Sequence, residues 1–198
     1  MASECNWFVF GSSGSLDDDF AYGTTTGQVA IGGIRGRYEI GNSTTGYWYN
    51  QLIPEICLEI DTEDWYMDSI SVDETRSMIS GEQITVFNCG NCNQNYGLEF
   101  IESSPLLWTA GYSNSLERFI LRAVFTQEII PPTVYDASND FIKDILTWSH
   151  GREFGEEGYN VPASLNRYLW FQFVSPTGSE IYGENQLTIM LYCQANMP

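Results

Sequence analysis

Apolar and polar residues alternate with a period of two along much of this chain, most sharply near its end. Tyr168 to Val174 reads YLWFQFV, with Leu169, Phe171 and Phe173 on one face and Tyr168, Trp170 and Gln172 on the other. Leu187 to Cys193 reads LTIMLYC, with Leu187, Ile189, Leu191 and Cys193 on one face, opposite Thr188, Met190 and Tyr192. Alternation of β-branched, aromatic and aliphatic residues marks strands with one face in a core. The intervening SPTGSEIYGENQ has the composition of a turn or loop. Two strands do not stand alone in water, so the rest of the chain must supply sheet to pack on them.

Upstream, Asn6 to Phe10 (NWFVF) reads as a short strand, and the GSSGSLDDD that follows has a flexible connector's composition. Glycine-rich GQVAIGGIRGRY, then YWYNQLI, EICLEID (Ile56, Leu58 and Ile60 on one face) and YMDSISV continue the strand pattern. ETRSMISGEQ reads as polar and leads into ITVF, with Ile84 and Val86 inward. YGLEFI and RFILRAVF follow, the latter with Phe119, Leu121, Ala123 and Phe125 on one face. One helix is expected, Ser138 to Trp148, with Ser138 as cap, Asp140 in the first turn, and Phe141, Ile142, Ile145 and Trp148 at helical spacing. About nine or ten strands with frequent turn signals predict an all-β chain, an immunoglobulin-like or jelly-roll-type β-sandwich. It carries one short helix and an N-terminal strand extension. The division expected is 1–20, a donor strand and connector, and 21–198, one sandwich domain.

Charge narrows the partners. Eight Lys and Arg stand against 26 Asp and Glu, a net charge of -18. That disfavours nucleic acid, whose binding relies on basic side chains releasing counterions, and docking on anionic membranes. No apolar run reaches the roughly 18 to 20 residues of a membrane span. Aromatics at 15% supply ample core material. The start, MASECNWFVFG, lacks the basic and apolar regions of a secretory signal, so a virion component or removal of a leader before Met1 is expected.

The chemistry-bearing residues are few. Cys5, Cys57, Cys89, Cys92 and Cys193 are odd in number; disulfides with a leftover thiol fit an extracellular protein and free thiols a reducing compartment. Cys89-Gly90-Asn91-Cys92 has redox or zinc half-site spacing but lies between two strands, as in a hairpin, and a structural role is expected. Cys193 has Cys5, Cys89 and Cys92 as possible partners. Calcium is a possible ligand at Asp17, Asp18 and Asp19 with Asn139 and Asp140, or at Glu59, Asp61, Glu63 and Asp64, though no spaced calcium loop is present. His150 has no nucleophile motif beside it and reads as a helix C-cap, so no enzyme is expected. Tyr47, Trp48 and Tyr49, with Trp65 and Tyr66, are the candidates for stacking on a glycan.

Read in order, ITVFNCGN, LLWTAG, RFILRAVF, YDASND and NVPASLNRYLWFQFV…QLTIMLYCQA resemble immunoglobulin-like domains of bacterial and archaeal surface proteins. The group includes camelysin and TasA-type filament subunits and archaeal bundling pilins. Asn88, Gly90, Asn91, Trp108, Gly111, Pro162, Leu169, Trp170, Phe171, Phe173, Pro176, Thr177 and Gln186 carry the resemblance, and the N-terminal half does not share it. It implies a non-enzymatic fibre subunit at the cell surface, partnered by copies of itself through donor-strand exchange. Trp7, Phe8, Val9 and Phe10 would then form the assembly strand. A virion decoration or tail protein and a glycan-binding adhesin domain are the alternatives.

Overall fold

The computed structural model describes residues 24–30, 33–40, 44–50, 55–67, 69–104, 108–180 and 185–196, and the account of side chains begins at Glu55. The expected all-β chain is what these residues form. Three strands, β1 (Thr24–Ala30), β2 (Gly33–Ile40) and β3 (Thr44–Asn50), make an antiparallel meander. A larger sheet holds β4 (Leu58–Ile60), β5 (Thr75–Ser77), β6 (Ile84–Asn88), β8 (Thr109–Ala110), β9 (Arg118–Thr126) and β11 (Asn166–Val174). Its order is β4-β6-β11-β9-β8, with β5 extending the β6 side of β11. A third sheet has β7 (Gln94–Ser104) at its centre, between β10 (Thr147–Trp148) and β12 (Gln186–Ala195).

The second and third sheets enclose the core, as in a sandwich. Period-two alternation aims Ile84 and Val86 from β6, Phe119, Leu121, Ala123 and Phe125 from β9, and Leu169, Phe171 and Phe173 from β11 at one cluster. Tyr96, Leu98 and Phe100 of β7 meet them from the opposite sheet. Tyr96 lies 5.6 Å from Phe125, and Phe100 stands edge-on to Phe119 at 5.3 Å, both spacings at which aromatic rings attract. Trp170, on the other face of β11, is also buried and donates its Nε1 hydrogen to Thr126 Oγ1 at 2.9 Å.

The strand-rich C-terminal part does not close as a hairpin. β11 and β12 belong to different sheets and face each other across the core, so the loop between them crosses the sandwich. The same holds for β6 and β7: the Cys89–Cys92 turn passes from one sheet to the other rather than closing a hairpin. Alternation identifies which face of a strand is apolar but not which neighbour it pairs with.

The expected helix at Ser138–Trp148 is absent. Asp136, not Ser138, makes the cap, its Oδ1 accepting from the backbone amides of Ser138 (2.7 Å) and Asn139 (3.0 Å). One helical turn follows, Asp140 N to Asp136 O at 3.0 Å, and then the chain extends. Ala123 donates to the Asp140 carbonyl, Ile142 to Leu121, and Phe100 to Lys143, before β10 joins β7. This ribbon bonds first to the edge of one sheet and then to the other. Phe141 packs with Ile120 and Val174 while its neighbour Ile142 enters the main core, and Ile145 is exposed. Adjacent buried residues facing opposite ways suit an extended chain, and waiting sheet edges outweigh the weak helix propensity.

Smaller expectations shift as well. Ile56 and Ile60 are exposed, so only Leu58 of that trio reaches the core. YMDSISV forms no strand among its described residues, although Met67 and Ile70 pack on the core. The stretch read as polar contains β5 and the buried Met78.

Candidate functional site

An open sheet edge is the most distinctive surface. β12 pairs with β7 along its whole length, from Gln186 opposite Ser104 to Ala195 opposite Gln94. On its other side no described strand pairs with it. It has 10 residues, whereas β4, β5, β8 and β10, the other outermost strands of the two sandwich sheets, have two or three each. Natural sheets blunt such edges by shortening them or by placing charges and prolines along them. Gln186–Ala195 contains neither.

Burial along β12 shows the consequence. Its core-facing Leu187, Ile189, Leu191 and Cys193 are only half-covered, while Tyr96 and Leu98 on the adjacent strand are fully buried. The flank of the core beside β12 therefore lacks a cover among the described residues. Outward, Met190 is exposed and the Tyr192 hydroxyl donates to Glu99 Oε2 at 2.8 Å. That bond raises the Tyr192 pKa, and burial raises that of the Cys193 thiol, which disfavours its reactive thiolate.

At the Ala195 end of that edge, a polar lock ties the sheets together. Asn88 donates from Nδ2 to the carbonyls of Cys92 and Val161, both at 2.9 Å, and accepts from Gly90 N at 3.0 Å. Asn91 Oδ1 accepts from Glu55 N at 2.8 Å, and Gln94 Nε2 donates to Cys57 O at 3.0 Å. Gly90 is required here because a Cβ would collide with the Glu55 carbonyl and the Gln94 side chain. Asn93, Asn160, Asn95 and Asn196 form a second chain of amide hydrogen bonds, which binds the last described residue to the lock.

A disulfide joins Cys57 to Cys89 within this lock. The CxxC segment thus has the structural role expected of it, and Cys89 is removed as a partner for Cys193. Cys92 keeps a buried thiol whose sulfur lies 3.9 Å from Glu55 O, and Cys193 is also a thiol. Cys5, Asp17, Asp18, Asp19 and the strand Trp7, Phe8, Val9 and Phe10 lie outside the described residues. Tyr47, Trp48 and Tyr49 sit on β3, opposite Arg37, Gly36 and Arg35 of β2, but their side chains also lie outside the description.

The acidic candidates do not assemble into a calcium site among the described residues. Among the described residues, the one group of His, Cys, Asp and Glu side chains at metal-ligand spacing is Cys57, Glu59 and Cys89. Asp61 is engaged by Thr85 N at 2.7 Å. Asp140 is buried and accepts from Asp136 N at 2.5 Å; burial pushes its pKa up to about 6 despite that bond. Asp136, fully exposed, is held below the usual range by its two backbone donors. Without a helix to cap, His150 is exposed and stands edge-on to Tyr159 at 5.1 Å.

Of the expected glycan-stacking pair, Tyr66 is exposed beside a shallow groove that Asp61, Asp64 and Glu82 help to line. Trp65 has one face against Phe171 (6.3 Å, 20° between planes) and its Nε1 on Glu82 at 3.3 Å.

Comparison with protein-family models, curated proteins and solved structures finds no match to this chain. Its residues must therefore carry the functional argument. No helix among the described residues is long and apolar enough to cross a membrane, and the disulfide fits an oxidising compartment. The open edge escaped the sequence analysis, although an uncharged ten-residue strand was its visible sign. The amide lock had a signal too, the asparagine-rich run from Asn88 to Asn95.

Proposed function

We propose that this chain is the repeating subunit of an extracellular fibre, joined by strand addition. The segment Trp7 to Phe10 of one copy pairs with β12 of the next. The observation that carries this reading is β12: long, uncharged, unpaired on one side among the described residues, and only half-covering its own core residues. An added strand would satisfy the free backbone groups by main-chain hydrogen bonds, and its alternate aromatic side chains would cover Leu187, Ile189 and Leu191. Donor and acceptor are different surfaces, so the contact runs head to tail and does not close on itself. The residues behind the surface-protein resemblance act here in turns and packing: Asn88, Gly90 and Asn91 in the lock, Trp108, Phe171 and Phe173 in the core.

Deletion of Met1 to Phe10 tests the proposal. The shortened protein should stay monomeric at concentrations where the full chain polymerises, and a synthetic peptide of residues 1–10 should protect β12 amides from hydrogen exchange. Fibres formed without those residues, or a dilute full-length monomer with its own Trp7–Phe10 already in its sheet, would refute it.

A further inference from the structure

The cross-strand pair that forms the disulfide has a second use when reduced. β4 and β6 are antiparallel with Leu58 opposite Asn88 and Glu59 opposite Phe87. Continuing that register by one pair sets Cys57 against Cys89, with Cα atoms 4.9 Å apart. Glu59 is two residues from Cys57 and so projects from the same face of its strand. One ligand atom from each of Cys57, Glu59 and Cys89 lies within 4.8 Å of the others. Zinc bonds of about 2.3 Å to sulfur and 2.0–2.2 Å to oxygen require ligand atoms roughly 3.5–3.8 Å apart. Once the S–S bond is cleaved, rotation about the side-chain bonds can bring the three groups to that spacing. Glu59 is exposed and both cysteines are partly exposed, so an ion and a reductant can reach them.

We propose that reduction converts the Cys57–Cys89 disulfide into a zinc(II) site made by Cys57, Cys89 and Glu59, with water as fourth ligand. A dithiol reductant supplies two electrons and two protons, leaving two thiols and becoming a disulfide itself. Zinc(II) then displaces both thiol protons into solvent and is held by two thiolates and one carboxylate. Two soft sulfur ligands favour zinc over calcium or magnesium, and three protein ligands leave one position open. The β4–β6 ladder is thus clamped in either redox state, by a covalent bond or by a metal. The CxxC spacing misleads here: Cys92 is three residues from Cys89, but the metal-spaced cysteine is Cys57.

Cobalt(II), whose tetrahedral thiolate complexes are coloured, is the probe. Full-length protein is reduced with dithiothreitol, desalted without oxygen and titrated with cobalt(II), then with zinc(II). One equivalent of cobalt should give thiolate charge-transfer absorption, bleached by one equivalent of zinc, while the oxidised protein gives none. C57S and C89S should each abolish the signal, E59Q should weaken cobalt binding at least tenfold, and a C92S/C193S double variant should retain it. Because Glu59 is exposed, E59Q keeps the fold, verified by its ability to re-form the disulfide. A reduced protein that binds no cobalt, a signal lost in C92S/C193S, or unchanged affinity in E59Q would overturn the assignment.

Discussion

The Asn88 side chain donates to the carbonyl of Val161, 73 residues away in sequence, at 2.9 Å. The same carboxamide holds Cys92 O and Gly90 N, so one buried residue fixes the turn between β6 and β7 and anchors the chain entering β11. Asn88→Ala would strip the buried Gly90 N and Cys92 O of this partner. An orphaned buried polar group costs roughly 1–3 kcal/mol, so a loss of about 2–4 kcal/mol is expected, read as a lower urea midpoint at unchanged slope. A loss below about 1 kcal/mol would show that water replaces the amide.

The Cys57–Cys89 bridge closes a sequence separation of 32. Loop-closure entropy for that length gives about 3–4 kcal/mol of stabilisation. A C57S/C89S variant should therefore unfold at lower urea, measured without added metal. The single C92S change should cost less, because Cys92 takes no part in the bridge.

Asp140 makes stability depend on pH with a defined sign. Burial raises its folded pKa to about 6, above the ordinary aspartate value of 3.8, so the folded state holds the proton more tightly. Its contribution is fully present below about pH 4 and is lost as pH rises through 6, amounting to about 2–3 kcal/mol. Asp136 acts in the opposite sense: its folded pKa is lowered, so its contribution is present above 3.8 and is lost as pH falls through that lowered value. Asp140→Asn keeps an acceptor for Asp136 N and removes the charge. It should be at least as stable as wild type at pH 7.5, with a flatter profile between pH 4 and 6. An unchanged slope would mean that the other carboxylates set the profile.

Met190 tests the fibre edge without touching the core, since its side chain is exposed on β12. Met190→Lys adds the kind of charge that natural edge strands use against pairing. Monomer stability should change by less than about 0.5 kcal/mol, and fibre mass at equal concentration, scored by sedimentation and negative-stain imaging, should fall severalfold. Copies carrying -18 each repel, so added salt should speed wild-type assembly.

Strand addition should also change Cys193, which faces the half-covered flank of the core. Its thiol pKa is raised by burial, so alkylation by iodoacetamide is already expected to be slow. In the polymer the rate should fall further, followed by mass spectrometry of the C-terminal peptide. Equal rates in monomer and fibre would place the contact elsewhere.

Local pattern was enough to reveal the inward faces of β6, β9 and β11, because side chains on a pleated strand alternate whatever the strand pairs with. Phe119, Leu121, Ala123 and Phe125, and likewise Leu169, Phe171 and Phe173, were legible for that reason. Pairing was not: the pattern of β11 and β12 says nothing about which strand each takes as neighbour, and only the long-range contacts place them in separate sheets. Phe141, Ile142 and Ile145 fit a helix by spacing, yet the free edges of β9 and β7 draw that segment into extended structure. The partnership of Cys57 with Cys89, the proximity of Glu59 and the open side of β12 also arise only once distant segments pack. They depend on which strands are neighbours, a property of the folded sheet that residue periodicity does not encode.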